Sequence, residues 1–135
     1  MYLLDTNICI YAINGKYPEL SQKLLSISPD EICVSSITIG ELEYGAAKSK
    51  WGERTRQKIR MFLANYDILP FTENDAILFG RLRAGLASAG TPIGAYDLMI
   101  ASQGVSRRLI VVTHNVREFE RVEELEIEDW INPTK

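Results

Sequence analysis

Three short apolar runs constrain this chain most: Tyr2-Leu3-Leu4, Ile32-Cys33-Val34 and Leu109-Ile110-Val111-Val112-Thr113. Each is too short for a helix and too continuous for a strand with one wet face, so each reads as a strand buried on both faces. Helical patterns lie between them. Leu20, Leu24 and Ile27 recur within Glu19–Ile27, and Ser35, Ser36 and Thr38 open a second helix through about Lys48. Ile59, Phe62 and Leu63 mark a third over about Glu53–Asn65. Ile77, Leu78, Leu82 and Leu86 mark a fourth over Asn74–Ala89, ended by Gly90, and a fifth runs over about Ala95–Ser106. Ile68-Leu69, closed by Pro70, is a brief strand. A turn or short helix near Arg117 and Phe119 precedes a last strand near Leu125 to Trp130. Strands alternating with helices predict an α/β fold, with a central, mainly parallel twisted sheet of four to five strands flanked by helices. No repeat or linker divides the sequence, so residues 1–135 are read as a single domain.

Composition excludes several classes. At 46% hydrophobic and 24% charged residues the chain can bury a core, which argues against disorder. No apolar run approaches the ~18 residues of a membrane span, and the N-terminus lacks a secretory pattern. A cytoplasmic location is expected. Cys9 and Cys33 sit among Ile and Val and read as reduced core residues. The net charge of −3 is unusual for a nucleic-acid binder. It is uneven, however: basic residues crowd Lys48 to Arg60 and acids load Glu118 to Asp129, and a local patch can still steer a polyanion.

Chemistry concentrates on three acids. Asp5 falls at the carboxyl end of the first strand, where open α/β sheets place their ligand crevices. It has two readings: a turn or cap residue with Asn7, or a hard oxygen ligand for a divalent cation. Glu41 also has two, because Thr38-Ile39-Gly40-Glu41 matches a capping box. Asp97 opens the helix after the loop-like Gly90-Thr91-Pro92-Ile93-Gly94, where the helix dipole favours an acid. All three fall where a parallel sheet can bring them to one edge. Carboxylates gathered there would repel and raise at least one pKa, and a divalent cation would relieve it. Mg²⁺ suits such a site, since it accepts a few carboxylates, keeps waters and binds phosphates.

Four stretches taken together resemble the PIN-domain family: Asp5-Thr6-Asn7, Ser36 through Leu42 around Glu41, Asp97-Leu98-Met99-Ile100-Ala101 and Val112-Thr113-His114-Asn115. Tyr44-Gly45-Ala46, Pro92-Ile93-Gly94 and Arg117-Glu118-Phe119 add to a likeness with the VapC ribonuclease toxins of type II toxin–antitoxin pairs. The resemblance covers essentially the whole chain and implies a Mg²⁺- or Mn²⁺-dependent endoribonuclease. It makes Asp5, Glu41 and Asp97 the catalytic and metal-binding acids, with Asn115 as a further oxygen ligand. Thr6, Asn7, Thr113 and Asn115 would support the acids or position phosphate. It implies an RNA substrate, with transfer RNA and the initiator anticodon stem-loop as the leading expectation. It also implies a homodimer and a VapB-type antitoxin that blocks the acids, joins a larger hetero-oligomer and carries operator-DNA binding.

The sequence departs from the family where many members have an Asp and Asn115 stands. An amide brings no charge, so the second metal position is expected to be weaker, with Glu118 or Glu120 as substitutes. This departure keeps an alternative reading open, a weak or inactive dimeric antitoxin-binding module. Phosphatases of the haloacid-dehalogenase type want an acid where Asn7 stands, and receiver modules want a late Lys that Val112-Thr113-His114-Asn115 lacks. Lys48, Lys50, Arg81, Arg83 and Tyr96 are RNA-contact candidates. Tyr11, Tyr44, Phe62, Phe79 and Met99 read as core, Trp51 and Trp130 as exposed, and His114 as an accessory residue.

Overall fold

A computed structural model describes residues 1–133. The elements run β1 (Tyr2–Leu4), α1 (Thr6–Asn14), α2 (Pro18–Ser26), β2 (Ile32–Ser35), α3 (Ser36–Lys48), α4 (Gly52–Leu63) and β3 (Asp67–Leu69). They continue as α5 (Glu73–Ser88), α6 (Ala95–Arg107), β4 (Ile110–Val112), α7 (Val116–Phe119) and β5 (Glu126–Glu128). The five strands form one sheet in the order β3-β2-β1-β4-β5, every neighbouring pair parallel. The expected α/β architecture is therefore present, with five strands.

Side chains alternate across this sheet and build two cores. Leu4, Ile32, Val34 and Val112 face one side, where Ile8, Leu20, Leu42 and Ile59 from α1 to α4 cover them. Leu3, Cys33 and Val111 face the other, under Leu86, Leu98, Ile100 and Ala101 of α5 and α6 and Phe119 of α7. Both cysteines are buried and free. The edge strands are three residues each and carry Asp67, Glu126 and Glu128, which discourages pairing with another chain. Among the described residues no helix is long and apolar enough to cross a membrane.

Helix ends follow local chemistry. Gly15 (φ 63°) and Gly90 (φ 73°) take left-handed conformations that favour glycine and close α1 and α5. The start of α5 is fixed by a capping box: Thr72 Oγ1 accepts the Asp75 N–H, and Asp75 Oδ2 accepts the Thr72 N–H at 2.8 Å. Asp75 is fully buried and also receives Ser106 Oγ at 2.8 Å and an Arg107 guanidinium nitrogen at 2.7 Å, which ties α6 to α5. Burial pushes its carboxyl up, but these bonds outweigh that and hold it below the ordinary value.

Two aromatic expectations fail. Trp130 is 4% exposed, packed edge-to-face on Tyr2 at 5.0 Å, with its indole N–H donated to Glu128 at 2.9 Å. Tyr44, read as core, is 67% exposed.

Close packing of α6 on β4 depends on Gly104. A methyl group there would lie 2.7 Å from both Val111 Cγ2 and Leu125 Cδ1. Gly104→Ala is expected to destabilise the chain by about 1–3 kcal/mol, the ordinary cost of overpacking. Denaturant titration checks this, and an unchanged midpoint would contradict the packing described.

Candidate active site

In this strand order the chain leaves β1 toward β2 on one side, while β4 and β5 lie on the other. The connections diverge between β1 and β4, so a crevice opens at the carboxyl ends of those two strands. Leu4 pairs with Val112, so the next residues, Asp5 and Thr113, stand beside each other at its mouth. The Asp5 N–H donates to the Val112 carbonyl at 3.0 Å, the last bond of that pairing.

Both readings of Asp5 have a physical basis. Its Oδ1 accepts the Ile8 N–H at 2.8 Å and so caps α1. The side chain is nonetheless 2% exposed, an expensive place for a lone charge. Burial pushes its carboxyl up, bonds from the Thr113 hydroxyl and the Ile8 N–H draw it down, and the charges of Asp97 and Glu41 push it up again. The net result is a pKa of about 7.

Glu41 is not a capping residue. The cap of α3 is Ser35, whose Oγ accepts the Ile37 N–H at 3.0 Å, and Thr38 and Glu41 both lie inside the helix. The expected capping box is replaced by a contact with the turn after β1. Thr6 Oγ1 donates to Glu41 Oε1 at 2.6 Å, and Thr38 Oγ1 lies 2.9 Å from Thr6 Oγ1. A hydroxyl has one proton, so Thr38 donates to Thr6 and Thr6 to Glu41. Thr38, fully buried, is a supporting residue that sequence reasoning missed. Its spacing from Glu41 fits one helix face as well as it fits a capping box.

Thr6→Val keeps the shape of the side chain, frees Glu41 and leaves the Thr38 hydroxyl without its acceptor. Losing such an outer support is expected to cost about 10–100-fold in metal affinity or activity. The loss should appear with the folded chain retained, read by metal titration beside circular dichroism. Unchanged affinity would mean that the Thr6–Glu41 contact does not aim the carboxylate.

Asp97 lies in the first turn of α6, after Gly94, which offers no side-chain cap. Burial raises its carboxyl, and the charges of Glu118 and Glu41 raise it further, to about 6. Glu118 is held as an anion. Its Oε1 accepts the Gly94 N–H and its Oε2 accepts Asn115 Nδ2, both at 2.8 Å, and these bonds lower its pKa. The fourth motif thus brings a carboxylate near Asp97 through Glu118, with Asn115 as the residue that orients it. The Asn115 N–H in turn donates to Thr113 Oγ1 at 3.0 Å.

The three-carboxylate cage expected from the sequence is not assembled in this arrangement. Among the described residues no three His, Cys, Asp or Glu side chains are gathered closely enough to hold one ion, and Glu41 is turned onto Thr6. The donor set still fits Mg²⁺, which binds through one or two carboxylates and fills its other positions with water and phosphate. Asp5 and Asp97 would supply that pair; burial is the main cause of both raised pKa values, and neighbouring carboxylates add to it.

The remaining candidates divide. Asn7 is exposed on the first turn of α1 and, with Asn115, Tyr11 and His114, lines a hollow beside Asp5. Tyr96 is 59% exposed and shares a larger hollow with Glu41 and Tyr44. The ammonium of Lys48 lies 4.9 Å from the centre of the Tyr44 ring, at the rim of that hollow. Lys50 instead lies over Trp51 and Arg83 over Phe79, while Arg81 lines a groove of α5 that shares no residue with the acids. Glu120 is exposed, with none of the contacts that hold Glu118.

A parallel sheet with this switch point, an acid directly after β1, and acids on α3 and α6 whose charges act on it define a class. Residues 2–125 match the PIN domain model, and the chain belongs to the PIN-domain family. Within it the chain is similar to VapC ribonucleases. It is 45% identical over 129 residues to the tRNA(fMet)-specific endonuclease VapC of Salmonella typhimurium, covering 96% of this chain and 97% of that one. It is 39% identical to Ribonuclease VapC2 of Rickettsia felis, covering 96% and 98%. Its fold matches the crystal structure of DNA-bound VapBC from Salmonella typhimurium with a TM-score of 0.90 at 43% identity, over 96% of this chain and 97% of that one. VapBC2 from Rickettsia felis, bound to a promoter DNA fragment, matches with a TM-score of 0.90 at 38% identity, over 96% and 98%.

Proposed function

We propose that the chain is the toxin of a VapBC-type toxin–antitoxin pair and acts as a Mg²⁺-dependent endoribonuclease, with Mn²⁺ as an alternative ion. The observation that carries this reading is the pair of raised carboxylates, Asp5 and Asp97, at the switch point between β1 and β4. Such a pair is poorly stable alone and well suited to a hard divalent cation. When bound there, the ion supplies charge neutralisation at the phosphodiester and a more acidic water for attack.

The chain's own residues supply placement. Asp5, oriented by the Ile8 N–H on Oδ1, presents its other carboxylate oxygen. Asp97 presents a second from α6. Thr38 and Thr6 hold Glu41 against the turn that carries Asp5, close enough for it to receive a proton from the attacking water. Glu118 and Asn115 brace the Gly94 turn that carries Asp97. Hydrolysis of this kind leaves a 5′-phosphate and a 3′-hydroxyl.

The relatives extend the reading to substrate and partners. The Salmonella typhimurium relative is named for specificity toward tRNA(fMet), which makes the initiator transfer RNA the proposed substrate here. The matching complexes are VapBC assemblies bound to DNA. A VapB-type antitoxin is accordingly the proposed inhibitor and the carrier of operator binding, with this chain as a homodimer in the cytoplasm.

Growth tests the whole of this. Inducing the chain alone should arrest cells, co-expression of its antitoxin should restore growth, and Asp5→Asn should not arrest. Equal growth with wild type and Asp5→Asn, both shown to accumulate folded, would favour the binding-only alternative.

A further inference from the structure

The hollow beside Asp5 has a composition of its own. It is an open hollow of ≈ 260 Å³ lined by Asn7, Tyr11, His114 and Asn115. Two of these follow β1 and two follow β4, the strands whose ends carry Asp5 and Thr113. Asn7 stands two residues after Asp5 and His114 directly after Thr113, which puts the hollow on the α1 side of the proposed cleavage centre, and it shares no residue with the larger hollow of Tyr44 and Tyr96.

Its walls are fixed from outside. Asp129 Oδ1 accepts the N–H groups of Ile131 and Asn132, and Oδ2 lies 3.0 Å from His114 Nδ1, which holds the imidazole plane. His114 also packs against Tyr17 at 5.9 Å and Tyr11 at 6.5 Å between ring centres. Tyr11 and Tyr17 meet edge-to-face at 5.2 Å, and the Lys16 ammonium lies 5.2 and 5.4 Å from their centres. Asn115 spends its amide N–H on Glu118 and keeps its carbonyl oxygen as an acceptor. Two aromatic rings, amides with donors and acceptors, and the Lys16 ammonium over the Tyr11 ring match one kind of ligand. That ligand is planar, edged with hydrogen-bonding groups and joined to phosphate.

We propose that this hollow takes the base of a nucleotide next to the scissile phosphate, and that Tyr11 and His114 set which base is preferred there. The proposal rests on the ribonuclease reading for its placement beside a phosphodiester, but its chemistry is base recognition and needs no cleavage. Pre-oriented rings lose little freedom when a base docks, so they contribute affinity at low entropic cost. Removing one stacking ring is expected to weaken binding by about 5-fold or more.

The test is equilibrium binding of short single-stranded RNAs, randomised one position at a time, to the intact chain carrying Asp97→Asn so that nothing is cut. Tyr11→Ala and His114→Ala should each weaken binding by about 5-fold or more and flatten base preference at one position. Tyr11→Phe should retain both, and Tyr44→Ala should leave that position unchanged. Thermal melting of each variant separates loss of fold from loss of contact. Uniform weakening for all bases, unchanged preference, or a preference that follows Tyr44 would overturn the assignment. A wild-type chain that cuts RNA with preferences indifferent to Tyr11 and His114 would sink this inference and leave the ribonuclease reading standing. A chain that binds RNA with these preferences yet never cuts would do the reverse.

Discussion

Asp97→Asn is expected to lower RNA cleavage by roughly 10³-fold while leaving the chain at least as stable as wild type. The side chains are nearly the same size, so packing in the first turn of α6 is kept. What is lost is one of two carboxylates available to the ion and the charge that draws it in. An interaction of about 4 kcal/mol in the transition state corresponds to that factor. Stability should move the other way, because the Asp97 carboxyl is raised by burial and by Glu118 and Glu41, so its ionised form opposes folding. Measuring turnover and melting temperature on the same preparation separates the two effects. A melting temperature that falls with activity would point to a structural role for Asp97.

A second large effect concerns pH. In the metal-free chain Asp5 is raised from 3.8 to about 7 and Asp97 from 3.8 to about 6. Below about pH 4 both groups are protonated whether the chain is folded or not, and their contribution to stability is fully present. Between about pH 4 and 7 the unfolded chain sheds these protons and the folded chain keeps them, so stability falls as pH rises. For Asp5 alone a rise from 3.8 to about 7 corresponds to about 4 kcal/mol, an upper figure because the acids share one field. Asp75 and Glu118, both lowered, have the opposite sign but act at more acid pH. With chelator present, the melting temperature at pH 8 should lie roughly 10 °C below that at pH 5. Asp5→Asn should reduce the difference to the smaller part due to Asp97, and Mg²⁺ should raise the wild-type melting temperature at pH 8. A melting temperature that climbs from pH 5 to 8 in chelator would contradict the arrangement described here.

Strands buried on both faces leave a plain mark in sequence, and β1, β2 and β4 fall where Leu3-Leu4, Ile32 to Val34 and Ile110 to Val112 predict them. The strand ends then locate Asp5 and Thr113 with no further information, because parallel register aligns the carboxyl ends. Contacts across the sheet leave no such mark. Thr38 and Glu41 share a spacing that serves a capping box and a helix face equally, and only docking against Thr6 decides between them. The capping box that does form, Thr72 with Asp75, starts α5 at Glu73, one residue ahead of the start expected at Asn74. Glu118 reaches Gly94 across 24 residues, so its place near Asp97 depends on how α7 folds back. Trp130 stands among polar neighbours in sequence yet is covered by Tyr2 and bonded to Glu128. Tyr44 shows the converse: an aromatic side chain expected in the core stands at a helix position that opens on the hollow beside Glu41.

On the proposed reading, acids at the β1–β4 switch point make this chain a metal-dependent ribonuclease. Cleavage of total cellular RNA by the purified, antitoxin-free chain tests it most directly, in Mg²⁺, in Mn²⁺ and in chelator, with the new ends mapped. A discrete cut in a transfer RNA, bearing a 5′-phosphate and abolished by chelator, is the expected result. Folded chain that leaves RNA intact under both ions, or cleavage that survives chelator, would contradict it.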